Sequence, residues 1–408
     1  MENAALEKVH NLENDKDYIF NIQTFNKIAP AGLDVLATDN FNVSDANEQA
    51  DAYLLRSQSL HDHDFPQTLK AIGRAGAGVN NIPVDRCTQS GVIVFNAPGA
   101  NANAVKELAI VGMLLASRDI VGGIDYVKSI ADDPNISSLV EKNKSKFKGF
   151  ELIGKRLGVI GLGAIGLQVA NAGLALGMDV AGYDPFISVR SAWDLSSHVT
   201  RLDSLERLIQ ESDVLSVHVP YTENTKGFIN KERIELMKPG AIVLNLSRDA
   251  LVDEAAMTAA LDAGTVHRYV SDFPNPLLVN HPSVISIPHL GASTDEAEVN
   301  CAVMVSKQVK QFLKHGTIEN SVNFPTIMLE RSTPFRITVV NHNVPSIIGQ
   351  ITSILAEKEL NISEMVNKSR GDMAYTIIDL DSFVDQETIE QLLSLDGVVR
   401  VRQLPPLS

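Results

Sequence analysis

Apolar residues recur along the chain in short runs separated by turn residues. Up to about Asn96 these runs are Tyr18–Ile22, Val35–Ala37, Ala52–Leu55, Lys70–Ile72 and Val92–Phe95. Runs of three to five such residues between turn signals predict strands, here of a small α/β unit. Ala104–Ile120 keeps a helical period with little polar relief, which predicts a buried helix. A second and clearer series follows, with strands expected at Leu157–Ile160, Val180–Tyr183, Val214–Val219, Ala241–Leu246, Tyr269–Ser271 and Val284–Ile287. Near-continuous apolar strands alternating with helices predict a doubly wound parallel sheet covered on both faces. A helix over Thr294–Lys314 then leads back toward the first unit, and Asn323–Pro334 reads as a linker. The tail predicts strand (Phe335–Val340), helix (Pro345–Glu359), strand (Ile362–Lys368), strand (Met373–Leu380), helix (Gln386–Ser394) and strand (Val398–Arg402). That βαββαβ order is ferredoxin-like.

The sharpest local motif is Gly161-Leu162-Gly163-Ala164-Ile165-Gly166, directly after the strand Leu157–Ile160 and opening a helical pattern. Glycines there permit a tight turn and close approach of a pyrophosphate, and the helix N-terminus offers free N–H groups to the phosphates. A second strand ends at Tyr183-Asp184-Pro185, with Asp184 eighteen residues past Gly166. A carboxylate at that point accepts the adenosine ribose hydroxyls and repels a 2′-phosphate, so NAD is expected and NADP is not. Four further polar residues close predicted strands: His218, Arg248, Asp272 and His289. Ligands of open parallel sheets gather at carboxyl ends of strands. An arginine and a histidine there suit oxidation of a 2-hydroxy acid. The arginine grips the carboxylate and polarises the C2 oxygen, and the histidine takes the hydroxyl proton.

Composition narrows the classes. At 408 residues the chain should hold two or three domains, and 44% hydrophobic content supports real cores. A formal net charge of −15 argues against nucleic-acid or anionic-membrane partners. Cys87 and Cys301 stand in no metal or redox spacing, and no metal is expected. Met1–Asp15 is polar and acidic, unlike a signal peptide, and the longest apolar run, Leu108–Ala116, is too short to span a bilayer. A cytoplasmic protein is expected.

Seven stretches together carry a family resemblance: Arg74–Asn81, Asn96–Asn101, Gly161–Gly166, His218–Pro220, Leu236–Gly240, Asn245–Arg248 and Pro288–Ser293. In order and spacing the chain resembles the D-2-hydroxyacid dehydrogenases from Arg56 to about Pro325, and the tail resembles an ACT regulatory domain. The resemblance implies a discontinuous, flavodoxin-like substrate-binding domain (1–100 and 291–325), a Rossmann NAD domain (101–290) and an ACT domain (335–408). It implies oxidation of D-3-phosphoglycerate to 3-phosphohydroxypyruvate with NAD, the first step of phosphorylated serine synthesis, in a homodimer or homotetramer. Arg248 would orient the substrate and His289 act as acid and base. Arg56, Ser57, Asn101 and the loop Ala77-Gly78-Val79 would bind substrate. Gly161, Gly163, Ala164, Ile165, Gly166, Asp184, His218, Val219, Pro220 and Asp272 would bind cofactor. A dehydrogenase for another 2-hydroxy acid, such as 2-hydroxyglutarate, and a catalytically weak NAD sensor remain alternatives.

Two departures bear on the chemistry. The family carries a glutamate shortly after the Asp-Phe pair, which partners the histidine; here Asp272-Phe-Pro-Asn-Pro-Leu277 has none. Lys106 stands where the family has alanine, at the start of the helix beside the substrate loop, and is a candidate to compensate. In the tail, ligand-binding ACT domains read His-x-Asn-x-x-Gly; this chain has Asn341, Asn343 and Ser346, with Asn361 matching at the next strand. The asparagines can hydrogen-bond both charged groups of an amino acid such as L-serine.

Overall fold

The computed structural model describes residues 18–38 and 40–406. The acidic leader Met1–Asp15, expected not to be a signal peptide, lies outside the described residues. Contacts divide the chain into two compact units, one of residues up to Ala100 together with Glu298 onward, the other Asn101–Ala297.

The first unit opens with β1 (Phe20–Thr24), β2 (Phe41–Ser44), β3 (Ala52–Leu55), β4 (Ala71–Arg74) and β5 (Ile93–Phe95). They form a parallel sheet in the order β2-β1-β3-β4-β5. One expected strand is corrected. Val35–Ala37 is the turn that closes the helix Pro30–Asp34, and β2 lies at Phe41–Ser44 instead. Pro30 starts that helix, the Leu36 and Ala37 N–H groups bond back to Leu33 and Asp34, and the Leu36 side chain is buried. An apolar triplet cannot tell a turn that packs its leucine inward from a short strand.

The second unit holds β6 (Arg156–Ile160), β7 (Asp179–Tyr183), β8 (Thr200–Arg201), β9 (Val214–Val217), β10 (Ala241–Asn245), β11 (Val266–Ser271) and β12 (Val284–Ser286). Their order is β12-β11-β10-β9-β6-β7-β8, all parallel. The helices Ala102–Ser117 and Ala164–Ala175 pack one face through Val105, Ala109, Met113, Val169 and Ala170. The opposite face is covered by Leu205, Leu208, Ile209, Met257 and Leu261. The buried helix expected over Ala104–Ile120 is the helix Ala102–Ser117. Gly112 lets it close on the sheet, since a Cβ there would stand 3.1 Å from Val270 Cγ1.

The helix Asp295–His315 returns the chain to the first unit. The tail adds β13 (Phe335–His342), β14 (Ile362–Arg370), β15 (Met373–Leu380) and β16 (Val398–Gln403) as an antiparallel sheet, β14-β15-β13-β16. Its helices, Ile347–Glu357 and Gln386–Leu393, cover one face. On the other face Val340, Met373, Tyr375 and Ile377 join the core of the first unit with Phe312, Phe324 and Ile327. Three donors of this sheet take carbonyls around the C-terminus of the helix Asp295–His315. Arg402 Nη2 bonds Leu313 O at 3.1 Å, Arg336 Nη1 bonds His315 O at 3.0 Å and Tyr375 Oη bonds Gly316 O at 2.9 Å. Those carbonyls have no partner inside the helix, so the tail supplies its cap.

Candidate active site

Six of the seven strands of the second unit end in a residue or loop with chemistry to offer. Read across the sheet the row is His289 after β12, Asp272 after β11, Arg248 after β10, His218 after β9, the Gly161 loop after β6 and Asp184 after β7. Sequence separations of up to 128 residues collapse to neighbouring strand ends because all the strands are parallel.

The glycine loop has little tolerance for side chains. Gly161 sits at φ +85°, where a Cβ would come within 2.6 Å of His218 O and 3.1 Å of Val219 Cγ1. A Cβ on Gly166 would meet Gly161 O at 1.8 Å. Gly163, the residue before the helix Ala164–Ala175, faces open space, and no side chain caps that helix. Its first-turn residues Ala164 and Ile165 therefore present N–H groups to a gap. Asp184 Oδ2 accepts the Leu162 N–H and Oδ1 the Phe186 N–H, both at 2.8 Å, which fixes the carboxylate at the edge of the loop. A cavity of about 410 Å³ opens beside it, lined among others by Leu162, Asp184, Ile187 and Arg201. These residues fit a dinucleotide: a cradle only glycine permits, unsatisfied helix donors and a fixed ribose-side carboxylate.

His218 points its Nε2 at Ser216 Oγ, 2.8 Å away, while its Nδ1 is enclosed without a partner. Burial pushes its pKa down to about 4, so the ring is neutral. Pro220 follows, its carbonyl held by Thr225 Oγ1 at 2.8 Å.

On the other side of the row, Arg248 is exposed and starts a short 3₁₀ turn. Asn245, wholly buried, donates to the Arg248 carbonyl at 2.8 Å, and Arg248 Nη1 donates to Ser247 O at 2.6 Å. His289 is exposed with φ +55°, a left-handed conformation unusual for a residue with a side chain. Its ring packs at 5.0 Å against Phe273. Asp272 is almost fully buried and its carboxyl pKa is raised by that burial, against the pull of the Gly291 and Leu290 N–H groups. A Cβ on Gly291 would lie 3.5 Å from Val105 Cγ2, so the His289 loop lies against the first turns of the helix that carries Lys106. Lys106 Nζ donates to Asn103 Oδ1 at 2.6 Å and stands 3.8 Å from Glu107. Asn101 precedes that helix and its Oδ1 is buried without a partner.

The remaining candidates are in the first unit. Arg56 and Ser57 follow β3, and Arg56 pairs with Glu298 at 2.5 Å. Asn26 Oδ1 accepts the Ser57 N–H at 3.1 Å. The loop Ala77-Gly78-Val79 is anchored by Asn96 Nδ2 on Ala77 O at 2.6 Å. In the tail, Asn341 is buried with Oδ1 unpartnered, Asn343 is exposed and the Asn361 N–H donates to Asp381 at 3.3 Å. Ser346 takes φ +67°, the conformation that the glycine of the motif would favour. The sequence reading missed Arg201, because a strand of two exposed residues leaves no periodic signal.

A parallel sheet with this loop and carboxylate defines a dinucleotide-binding α/β protein. Residues 111–291 match the model of the D-isomer specific 2-hydroxyacid dehydrogenase, NAD binding domain. The D-3-phosphoglycerate dehydrogenase of Methanocaldococcus jannaschii is 36% identical over 82% of this chain, which spans 62% of that relative. The D-3-phosphoglycerate dehydrogenase of Haemophilus influenzae is 31% identical over 82% of this chain and 81% of its own length. Among solved structures, an NAD⁺-bound 3-phosphoglycerate dehydrogenase from Entamoeba histolytica is 25% identical with a TM-score of 0.59, covering 75% of this chain and 99% of its own. The chain belongs to the D-isomer specific 2-hydroxyacid dehydrogenases, and its second unit contains their NAD-binding domain.

Proposed function

We propose that this protein oxidises D-3-phosphoglycerate to 3-phosphohydroxypyruvate with NAD, the first step of phosphorylated L-serine synthesis. The observation that carries the reading is the row β10-β11-β12, which sets Arg248, Asp272 and His289 on three adjacent strand ends of the sheet that bears the glycine loop. The names of the relatives support the substrate class, and Arg56 and Ser57 are the residues we assign to the phosphate.

In this reading Arg248 forks onto the substrate carboxylate and the C2 oxygen. His289 removes the proton from the C2 hydroxyl as the hydride leaves C2. Bound NAD supplies the hydride acceptor. Asp272 sets the His289 loop, and Lys106, on the neighbouring helix, is the residue we assign to compensate in part for the family's missing glutamate. The enclosed, unpartnered Asn341 Oδ1 supports an amino-acid effector such as L-serine at the tail. The helix Ile120–Ser129, with no buried residue and with Val121, Ile124 and Val127 exposed, supports assembly with a second copy.

The test is turnover of 3-phosphohydroxypyruvate with NADH, set beside 2-oxoglutarate. Preference for the phosphorylated acid, with His289→Ala slower by ~10²–10⁴-fold, is expected. Preference for 2-oxoglutarate would move the substrate assignment, and no turnover of either would leave a sensor.

A further inference from the structure

Asp184 shares its cavity with a cation. One wall of the space of about 410 Å³ is Gly182–Pro185 at the end of β7, and another is Arg201–Asp203 at the end of β8. The strand register explains the meeting. Gly182 pairs with Arg201, and the Leu202 N–H bonds Gly182 O at 3.0 Å. With strands ~4.8 Å apart and a rise of ~3.3 Å per residue, the Cα atoms of Arg201 and Asp184 lie roughly 8 Å apart, within the sweep of an arginine side chain. Gly182 has no side chain, and the Leu162 side chain fills the place of one, as a further wall of the same cavity.

The two groups differ in freedom. Asp184 is pinned by the Leu162 and Phe186 N–H groups at 2.8 Å each. Arg201 pairs with Asp203 at 3.1 Å, but the two side chains are 87% and 85% exposed. A pair so solvated contributes little, so the guanidinium turns into the cavity at small cost. A guanidinium is also the group whose geometry best matches a phosphate.

We propose that Arg201 is a latent 2′-phosphate ligand, silenced by Asp184. The preference for NAD then comes from a fixed carboxylate and not from lack of a cation at the ribose. This rests on the assignment of the cavity to the adenosine end of NAD.

The experiment is calorimetric titration of the full chain with ADP-ribose and with 2′-phospho-ADP-ribose, which needs neither substrate nor turnover. The wild-type chain should bind the first and discriminate against the second. Asp184→Asn, with Asp184→Ser as a second variant, should gain affinity for the 2′-phosphorylated probe by ~10–100-fold, the range of a charge-assisted contact. Adding Arg201→Ala should abolish that gain, and adding Asp203→Asn should enlarge it. A gain that survives Arg201→Ala, or no gain in either Asp184 variant, overturns the proposal while leaving the NAD site standing. Failure of the wild-type chain to bind ADP-ribose overturns both.

Discussion

Asp272 holds the His289 loop by its backbone N–H groups, with no bond to the imidazole. The His289 N–H donates to the Asp272 carbonyl at 3.1 Å, and the two carboxylate oxygens accept the next two N–H groups, of Leu290 and Gly291, at 2.7 Å each. One buried side chain therefore fixes the loop that keeps a histidine at φ +55°. Such a backbone costs of order 1–3 kcal/mol and persists only when its surroundings over-determine it.

Asp272→Asn leaves one oxygen for two donors, an uncompensated buried group worth ~1–3 kcal/mol. We expect kcat to fall by ~10–100-fold, the scale of a small misplacement of the acid–base group, with NADH affinity little changed. Weaker NADH binding at unchanged kcat would assign Asp272 to the cofactor instead.

Lys106→Met removes the ammonium now held by Asn103 and leaves the helix intact. If Lys106 compensates for the absent glutamate, its loss alters the pH profile of kcat as well as its height. An unchanged profile would leave it a surface contact of the helix.

His218 predicts a particular acid sensitivity. Its folded pKa, about 4, lies below its ordinary 6.5, so the unfolded chain binds the extra proton first as pH falls. Stability should decline between about pH 6.5 and pH 4, by up to ~3 kcal/mol from this group. His218→Gln should flatten that decline in denaturant midpoints measured across the window. A variant with the full wild-type slope would place the sensitivity elsewhere.

The tail should not be removable. Deleting residues 335–408 would uncover Phe312, Phe324 and Ile327 and strip the donors from Leu313, His315 and Gly316. Arg336 and Asp379 are wholly buried against each other, with Arg336 Nη2 at 2.8 Å from Asp379 Oδ2. Arg336→Leu would strand that carboxylate at a cost of ~3–5 kcal/mol. We expect a steep fall in Tm for the point variant and insoluble protein for the deletion. A soluble, active truncation with the wild-type Tm would show the tail to be a detachable appendage.

The sequence by itself determined the strands and helices of both parallel sheets wherever apolar runs were long. It also determined the βαββαβ tail, the glycine loop with Asp184, and the polar residues that close strands. These are local facts, since periodicity and turn chemistry act over a few residues. Tertiary structure decided the rest. It turned Val35–Ala37 from a strand into a turn, because Leu36 has a core to enter. It set the order β12-β11-β10-β9-β6-β7-β8, which no local pattern encodes, and so placed Arg248, Asp272 and His289 side by side. It gave the Asp272 carboxylate a second duty, accepting the Leu290 and Gly291 N–H groups, which leaves no mark in composition. And it brought Arg201 beside Asp184 across seventeen residues of chain, because a two-residue strand pairs with the end of β7.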